Sequence, residues 1–146
     1  MKQILFVCTG NTCRSPMAAA IVKAMDQEGF DVQSAGIFAS NGSDASPHTK
    51  RVLSENNMEC SHSSQPLTEE LIEWATHIFT MTEGHKWQIE TSFPSAKSKT
   101  FTLKEYVGEK GDIMDPFGGD LEVYRMTYSE LISLIKKAIK KLENEK

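Results

Sequence analysis

Gln3-Ile4-Leu5-Phe6-Val7-Cys8 runs apolar into Thr9-Gly10-Asn11-Thr12-Cys13-Arg14, and Ser15-Pro16 follows. The first segment reads as a strand buried on both faces, because no polar residue alternates with Ile4, Leu5, Phe6 and Val7. Thr9–Arg14 is a polar turn. Ser15-Pro16 has the form of a helix start, a capping hydroxyl with proline at the first helical position. Ala18, Ile21, Val22 and Met25 then keep helical spacing. Strand, tight loop and helix in that order are the opening of a parallel crossover unit.

The rest of the chain repeats the pattern. Gly29 stops the first helix, and Asp31–Ala35 reads as a second strand. Gly36–Ser46 is loop and Pro47–Asn57 helical. Thr68 caps a short helix with Glu69 and Glu70 in its first turn, running to about Ala75. Thr76–Met81, rich in Ile, Phe and Thr, is a third strand. Thr82–Thr91 is helical, Ser92–Lys99 loop, and Thr100–Leu103 a fourth strand. Gly108–Asp120 is a long polar loop, and a strongly amphipathic helix runs on to about Glu143. Strands alternating with helices imply parallel pairing. The expected fold is α/β: one three-layer domain over residues 1–146, with a roughly four-stranded parallel sheet flanked by helices.

Composition agrees with a soluble globular domain. The 146 residues are 39% hydrophobic and 25% charged, with a net charge of −4. A domain of this length buries close to 70% of its unfolded surface and needs no disulfide or metal staple. The acidic balance disfavours nonspecific nucleic-acid binding. No apolar run reaches the roughly 20 residues that span a bilayer. With no export signal at the N-terminus, the expected compartment is the cytoplasm, and a monomer is favoured. Three cysteines, Cys8, Cys13 and Cys60, make no disulfide framework. Cys8 and Cys13 lack a second pair of ligands for zinc, so neither metal nor cofactor is expected.

The chemistry concentrates at Cys8-Thr9-Gly10-Asn11-Thr12-Cys13-Arg14-Ser15. A loop between a buried strand and a helix N-terminus turns its N–H groups toward the positive end of the helix dipole and cradles an anion. Gly10 allows the chain to curl, and the Arg14 guanidinium can fork onto two phosphoryl oxygens. Cys8 lies at the mouth of the cradle, where helix end, N–H groups, Arg14 and Ser15 favour its thiolate and a lowered pKa. A thiolate beneath a tetrahedral oxyanion suits attack on phosphorus. Asp115, in Asp115-Pro116-Phe117-Gly118-Gly119, is the candidate general acid. Asp112 competes with it but lacks the Pro-aromatic context.

Cys8, five residues and Arg14, inside Phe6-Val7-Cys8-Thr9-Gly10-Asn11-Thr12-Cys13-Arg14-Ser15-Pro16-Met17-Ala18, resemble the low-molecular-weight protein-tyrosine phosphatase family. The likeness covers essentially the whole chain and implies a cysteinyl-phosphate mechanism. It places the family's acid at Asp115, and it pairs Ser34, in Ser34-Ala35-Gly36, with Asn11 as loop support. The chain departs from the typical tyrosine phosphatase at Thr12, where many members carry a bulky aliphatic residue, and at Phe117-Gly118-Gly119. With Phe38, these positions are similar to the protein-arginine phosphatase branch of Gram-positive bacteria. Thr12 offers an oxygen to the donors of a phosphorylated guanidinium, while Phe38 and Phe117 can wall the arginine stem. The expected partners are phosphorylated proteins. A tyrosine phosphatase of the same mechanism is the alternative. An arsenate reductase would need further cysteines, absent from Thr76–Thr91, and a non-catalytic binding module would normally lack the nucleophile or the acid. Cys8 and Cys13 are close enough in the loop for a reversible disulfide.

Overall fold

The structure, a computed structural model, describes residues 1–145. Its elements are β1 (Lys2–Cys8), α1 (Arg14–Met25), β2 (Phe30–Gly36), α2 (Pro47–Glu55), α3 (Glu69–Trp74), β3 (His77–Thr80), α4 (Glu83–Ser92), a 3-10 helix (Pro94–Lys99), β4 (Thr100–Thr102), α5 (Leu103–Tyr106) and α6 (Leu121–Glu143). The four strands form one parallel sheet in the order β2-β1-β3-β4.

β1 is central, and its side chains alternate between two cores as a strand requires. Ile4 and Phe6 pack with Met17 and Ile21 of α1, Val52 and Leu53 of α2, and Leu131, Leu134, Ile135 and Ile139 of α6. Leu5 and Val7 face Leu71, Ile72, Ile89 and Ala96 on the opposite side. Each fully buried side chain of this size contributes about 1.5–3 kcal/mol, which is why the unbroken apolar run is a reliable marker of the central strand. No helix of the described residues is long and apolar enough to cross a membrane.

The strand order positions the site. From β1 the chain passes to β2 on one side, then returns across to β3 on the other, so a crevice opens where β1 ends. Cys8 there pairs with Gly36, the last residue of β2.

Local readings differ from the structure in several places. α1 begins at Arg14, with Cys13 in the capping position and no side-chain cap, so Ser15 lies inside the first turn. Its hydroxyl is engaged by the loop instead. Helix α1 ends at Met25, where Asp26 takes up the left-handed conformation (φ 46), and Gly29 (φ 88) shapes the turn into β2. Leu103 ends no strand but opens α5, whose capping box pairs Thr102 with Glu105. Ser92–Lys99, a loop by its sequence, contains the 3-10 turn.

Candidate active site

Residues 8–15 wrap around the N-terminus of α1, and Asn11 holds them together. It is fully buried and is the loop residue at positive φ (58). Gly10, the expected source of the tight curl, has no positive φ, and a Cβ there would only touch Thr12 Oγ1 at 3.8 Å. Asparagine tolerates the left-handed region better than most side chains. The Asn11 amide also fixes a hydrogen-bond direction. Its Oδ1 accepts from the Gln65 N–H (3.0 Å), so Nδ2 donates both hydrogens, to Ser15 Oγ (2.8 Å) and to Ser34 Oγ (2.9 Å). Ser15 Oγ, having accepted, has its own hydrogen for Cys8 Sγ, 2.8 Å away. The network therefore delivers a donor to the sulfur.

Arg14 is buried, and Nη1 donates to the Ile113 carbonyl (2.8 Å) while Nη2 lies 3.6 Å from Asp115 Oδ2. Ile113 N–H in turn donates to the Met81 carbonyl at the end of β3 (2.9 Å). The acid loop is thus attached both to the sheet and to the arginine. Asp115 is half exposed and its Oδ1 accepts from the Phe117 N–H (3.1 Å), a turn that Gly118 (φ 83) completes. Asp112 is occupied otherwise, accepting from the Glu83 N–H at the start of α4 (2.9 Å).

Cys8, Thr9, Gly10, Thr12, Cys13, Arg14, Asp115 and Phe117 line one cavity of about 250 Å³. Phe117 stands exposed at its rim. Phe38 is exposed too and lies outside this lining, although its N–H donates to the Thr9 carbonyl (2.9 Å). Among the described residues no three His, Cys, Asp or Glu side chains converge as a metal site.

Electrostatically the site is a deeply buried thiol at the cavity wall, beside a cation. Cys8 is 3% exposed. Burial pushes its thiol up, and this outweighs the Ser15 hydroxyl, the Ser15 and Asn11 backbone groups and the Arg14 charge, which pull it down. The lowered thiol expected from sequence is therefore corrected: the spacing reveals the favourable donors but not how completely the sheet end closes over the sulfur. Cys13 Sγ lies 3.5 Å from Tyr124 Oη and 3.6 Å from Ser46 Oγ, and Cys8, Cys13 and Cys60 are all free thiols.

Besides Gln65, three supporting residues have no site role assigned by the sequence, in which His85 could border the site but a surface or core role is favoured. His62 Nε2 donates to the Asn11 carbonyl (2.6 Å), and His85 Nε2 lies 2.9 Å from Thr9 Oγ1. Gly36 is the third. A Cβ at Gly36 would meet Thr9 O at 2.6 Å, Ala39 Cβ at 2.8 Å and Asn11 N at 2.9 Å. The loop backbone rests directly on β2, so Gly36→Ala is expected to cost about 1–3 kcal/mol of stability and to lower kcat/KM by displacing the loop. Denaturant unfolding and steady-state kinetics on the same preparation check both.

His85 also makes stability depend on pH. Burial, then the Arg14 charge, push its imidazole down to about 4 from 6.5. Between these values the unfolded chain binds the extra proton and the folded chain does not, so this contribution is complete above pH 6.5 and lost as the pH falls toward 4. Thermal unfolding followed from about pH 7 to about pH 4.5 should show a shallower decline for His85→Gln than for the parent.

The comparisons with known proteins agree with this geometry. The chain is 56% identical to a protein-arginine phosphatase of Geobacillus stearothermophilus over 144 residues, covering 98% of this chain and 97% of the relative. It is 47% identical to a protein-arginine phosphatase of Bacillus subtilis over 147 residues, with 98% of each covered. The solved YwlE arginine phosphatase of G. stearothermophilus superposes with a TM-score of 0.96 at 55% identity, covering 98% of this chain and 94% of that one. A YwlE mutant with serine for cysteine at the active site, phosphorylated on that serine, superposes with a TM-score of 0.95 at 46% identity, covering 99% and 97%. The family profile described as low molecular weight phosphotyrosine protein phosphatase matches residues 3–146. With a sheet, a loop and an acid segment of this arrangement, the chain belongs to the low molecular weight phosphotyrosine protein phosphatase family.

Proposed function

We infer that the protein hydrolyses phosphoarginine in proteins through a cysteinyl-phosphate intermediate. The observation that carries this reading is the single cavity in which Cys8, its loop, Arg14 and Asp115 converge. Cys8 attacks phosphorus as its thiolate, the form that the Ser15 hydroxyl, the loop N–H groups and the Arg14 charge favour against burial. The phosphorus–nitrogen bond breaks as Asp115 gives its proton to the leaving guanidine nitrogen. Asp115, now a carboxylate, takes a proton from water, which attacks the cysteinyl-phosphate and releases inorganic phosphate and the Cys8 thiolate. Arg14 and the N–H groups of Thr9–Ser15 hold the phosphoryl oxygens throughout. Ser34 and Ser15 keep the loop in shape through Asn11.

Arginine is favoured over tyrosine as the phosphorylated residue by Thr12, which belongs to the cavity wall, and by relatives named for that activity. A planar guanidinium offers only donors, and Thr12 and Asp115 supply acceptors. Phe117 at the rim, with Phe38 beyond it, flanks the stem of the side chain. We place this reaction in the cytoplasm, with the chain acting as a monomer. Hydrogen peroxide would oxidise Cys8 and Cys13 to a disulfide while being reduced to two waters, and two thiol equivalents, themselves joined as a disulfide, would restore the nucleophile.

Two matched peptides, one bearing phosphoarginine and one phosphotyrosine, test the specificity. The parent should prefer phosphoarginine, and Thr12→Ile should erase about tenfold of that preference, the worth of one hydrogen bond to a charged group. Preference of the parent for phosphotyrosine would make Thr12 a spacer and the protein a tyrosine phosphatase.

A further inference from the structure

His85 lies 76 positions from Thr9 in the chain, yet its Nε2 is 2.9 Å from the Thr9 hydroxyl oxygen. The ring is 8% exposed. Its second nitrogen, Nδ1, is the one buried side-chain polar atom among the described residues with no hydrogen-bond partner. An orphaned buried nitrogen costs stability, so packing alone does not explain an imidazole here.

The orphan fixes the tautomer. A neutral imidazole carries one ring proton and keeps it on the nitrogen that has an acceptor. Nδ1 has none, so the proton is on Nε2 and is donated to Thr9 Oγ1. The Thr9 hydroxyl, having accepted, retains its own hydrogen for a different partner. Thr9 is solvent-exposed and lines the cavity beside Cys8 and Arg14.

We propose that His85 is a positioning residue, which by donating to Thr9 commits the Thr9 hydroxyl to act as a hydrogen-bond donor to the phosphoryl group above Cys8. The arrangement repeats the logic by which Asn11 frees the Ser15 hydrogen for the sulfur. It is also firmly anchored. His85 sits in the first turn of α4, its own N–H donating to the Thr82 cap (3.1 Å), and the neighbouring Glu83 N–H holds Asp112 of the acid segment (2.9 Å). One helix turn therefore sets a donor in the cradle and braces the loop that carries Asp115.

This inference rests on the phosphatase reading only in requiring a phosphoryl oxyanion in the cradle. The test therefore uses inorganic phosphate, titrated calorimetrically into the parent, Thr9→Val, Thr9→Ser, His85→Leu, His85→Gln and the Thr9→Val/His85→Leu pair. Kinetics on a phosphoarginine peptide and unfolding temperatures accompany each variant. Thr9→Val and His85→Leu should each weaken phosphate binding about tenfold, the double variant no more than either alone. Thr9→Ser and His85→Gln, which keep a donor at each position, should stay within about twofold of the parent. Independent, additive losses would overturn the proposal, and so would a fall in unfolding temperature without weaker phosphate binding. Should His85→Leu fail to fold, unchanged phosphate binding by Thr9→Val, or a tenfold loss in His85→Gln, would overturn it equally. A parent that binds phosphate but ignores the phosphoarginine peptide would sink the arginine reading and leave this measurement intact.

Discussion

Cys8→Ser is expected to lower turnover by on the order of 10⁴-fold or more, because a serine hydroxyl at neutral pH is a far weaker nucleophile than a thiolate and the side chain hydrogen-bonded to it, Ser15, is not a base. The Ser15 hydroxyl, 2.8 Å from Sγ, arrives as a donor, as do the Ser15 and Asn11 backbone N–H groups. The residual reaction should leave a record. Slow attack by the introduced serine hydroxyl would form a phosphate ester, whose leaving alkoxide is much poorer than a thiolate, so the second step stalls. Mass spectrometry of the variant after incubation with a phosphoarginine peptide should locate phosphate on the substituted side chain. Near-parental turnover by a folded Cys8→Ser protein would remove covalent catalysis by this residue altogether.

Asp115→Asn is expected to reduce kcat on the same peptide by roughly 10²- to 10⁴-fold, the usual share of a positioned general acid. The diagnostic lies in the comparison of leaving groups. An alkylguanidine must be protonated to depart, whereas a nitrophenolate departs readily without a proton. The first chemical step should therefore suffer far more with phosphoarginine than with a nitrophenyl phosphate, in single-turnover measurements. An equal loss on both substrates would point instead to the 3.6 Å contact between Asp115 and Arg14, with the carboxylate holding the guanidinium in place rather than moving a proton.

How much of this is legible in the sequence depends on distance along the chain. The strand, loop and helix at residues 3–25 are contiguous, so hydrophobic runs and one Cys-to-Arg spacing suffice to propose them. Asp115 is remote but carries a local signature of its own. Ser15 shows the limit of local reading: a hydroxyl before proline suggests a helix cap, yet the hydroxyl is used by Cys8 and Asn11 and both cap and helix start lie two residues earlier. Gly36, His62, Gln65 and His85 have no local mark, because what each does is meet residues 8–15 in space. The capping box at Thr102 and Glu105 does have one, and a four-residue helix is simply too short for periodicity to reveal. The deep burial of Cys8 depends on the sheet order, which alternation of strands and helices leaves open.

The same distances govern when the protein becomes competent during its synthesis. Residues 8–15 leave the ribosome before their partners, which come 23, 54, 76, 99 and 111 positions later, at Ser34, Gln65, His85, Ile113 and Tyr124. Contacts so far apart in sequence form slowly and late. A nascent chain lacking its last third has the nucleophile and the phosphate-binding arginine but neither the acid nor the carbonyl that orients that arginine. Phosphoryl transfer is thus withheld until nearly all of the polypeptide has been made, and the appearance of activity serves as a clock for complete folding.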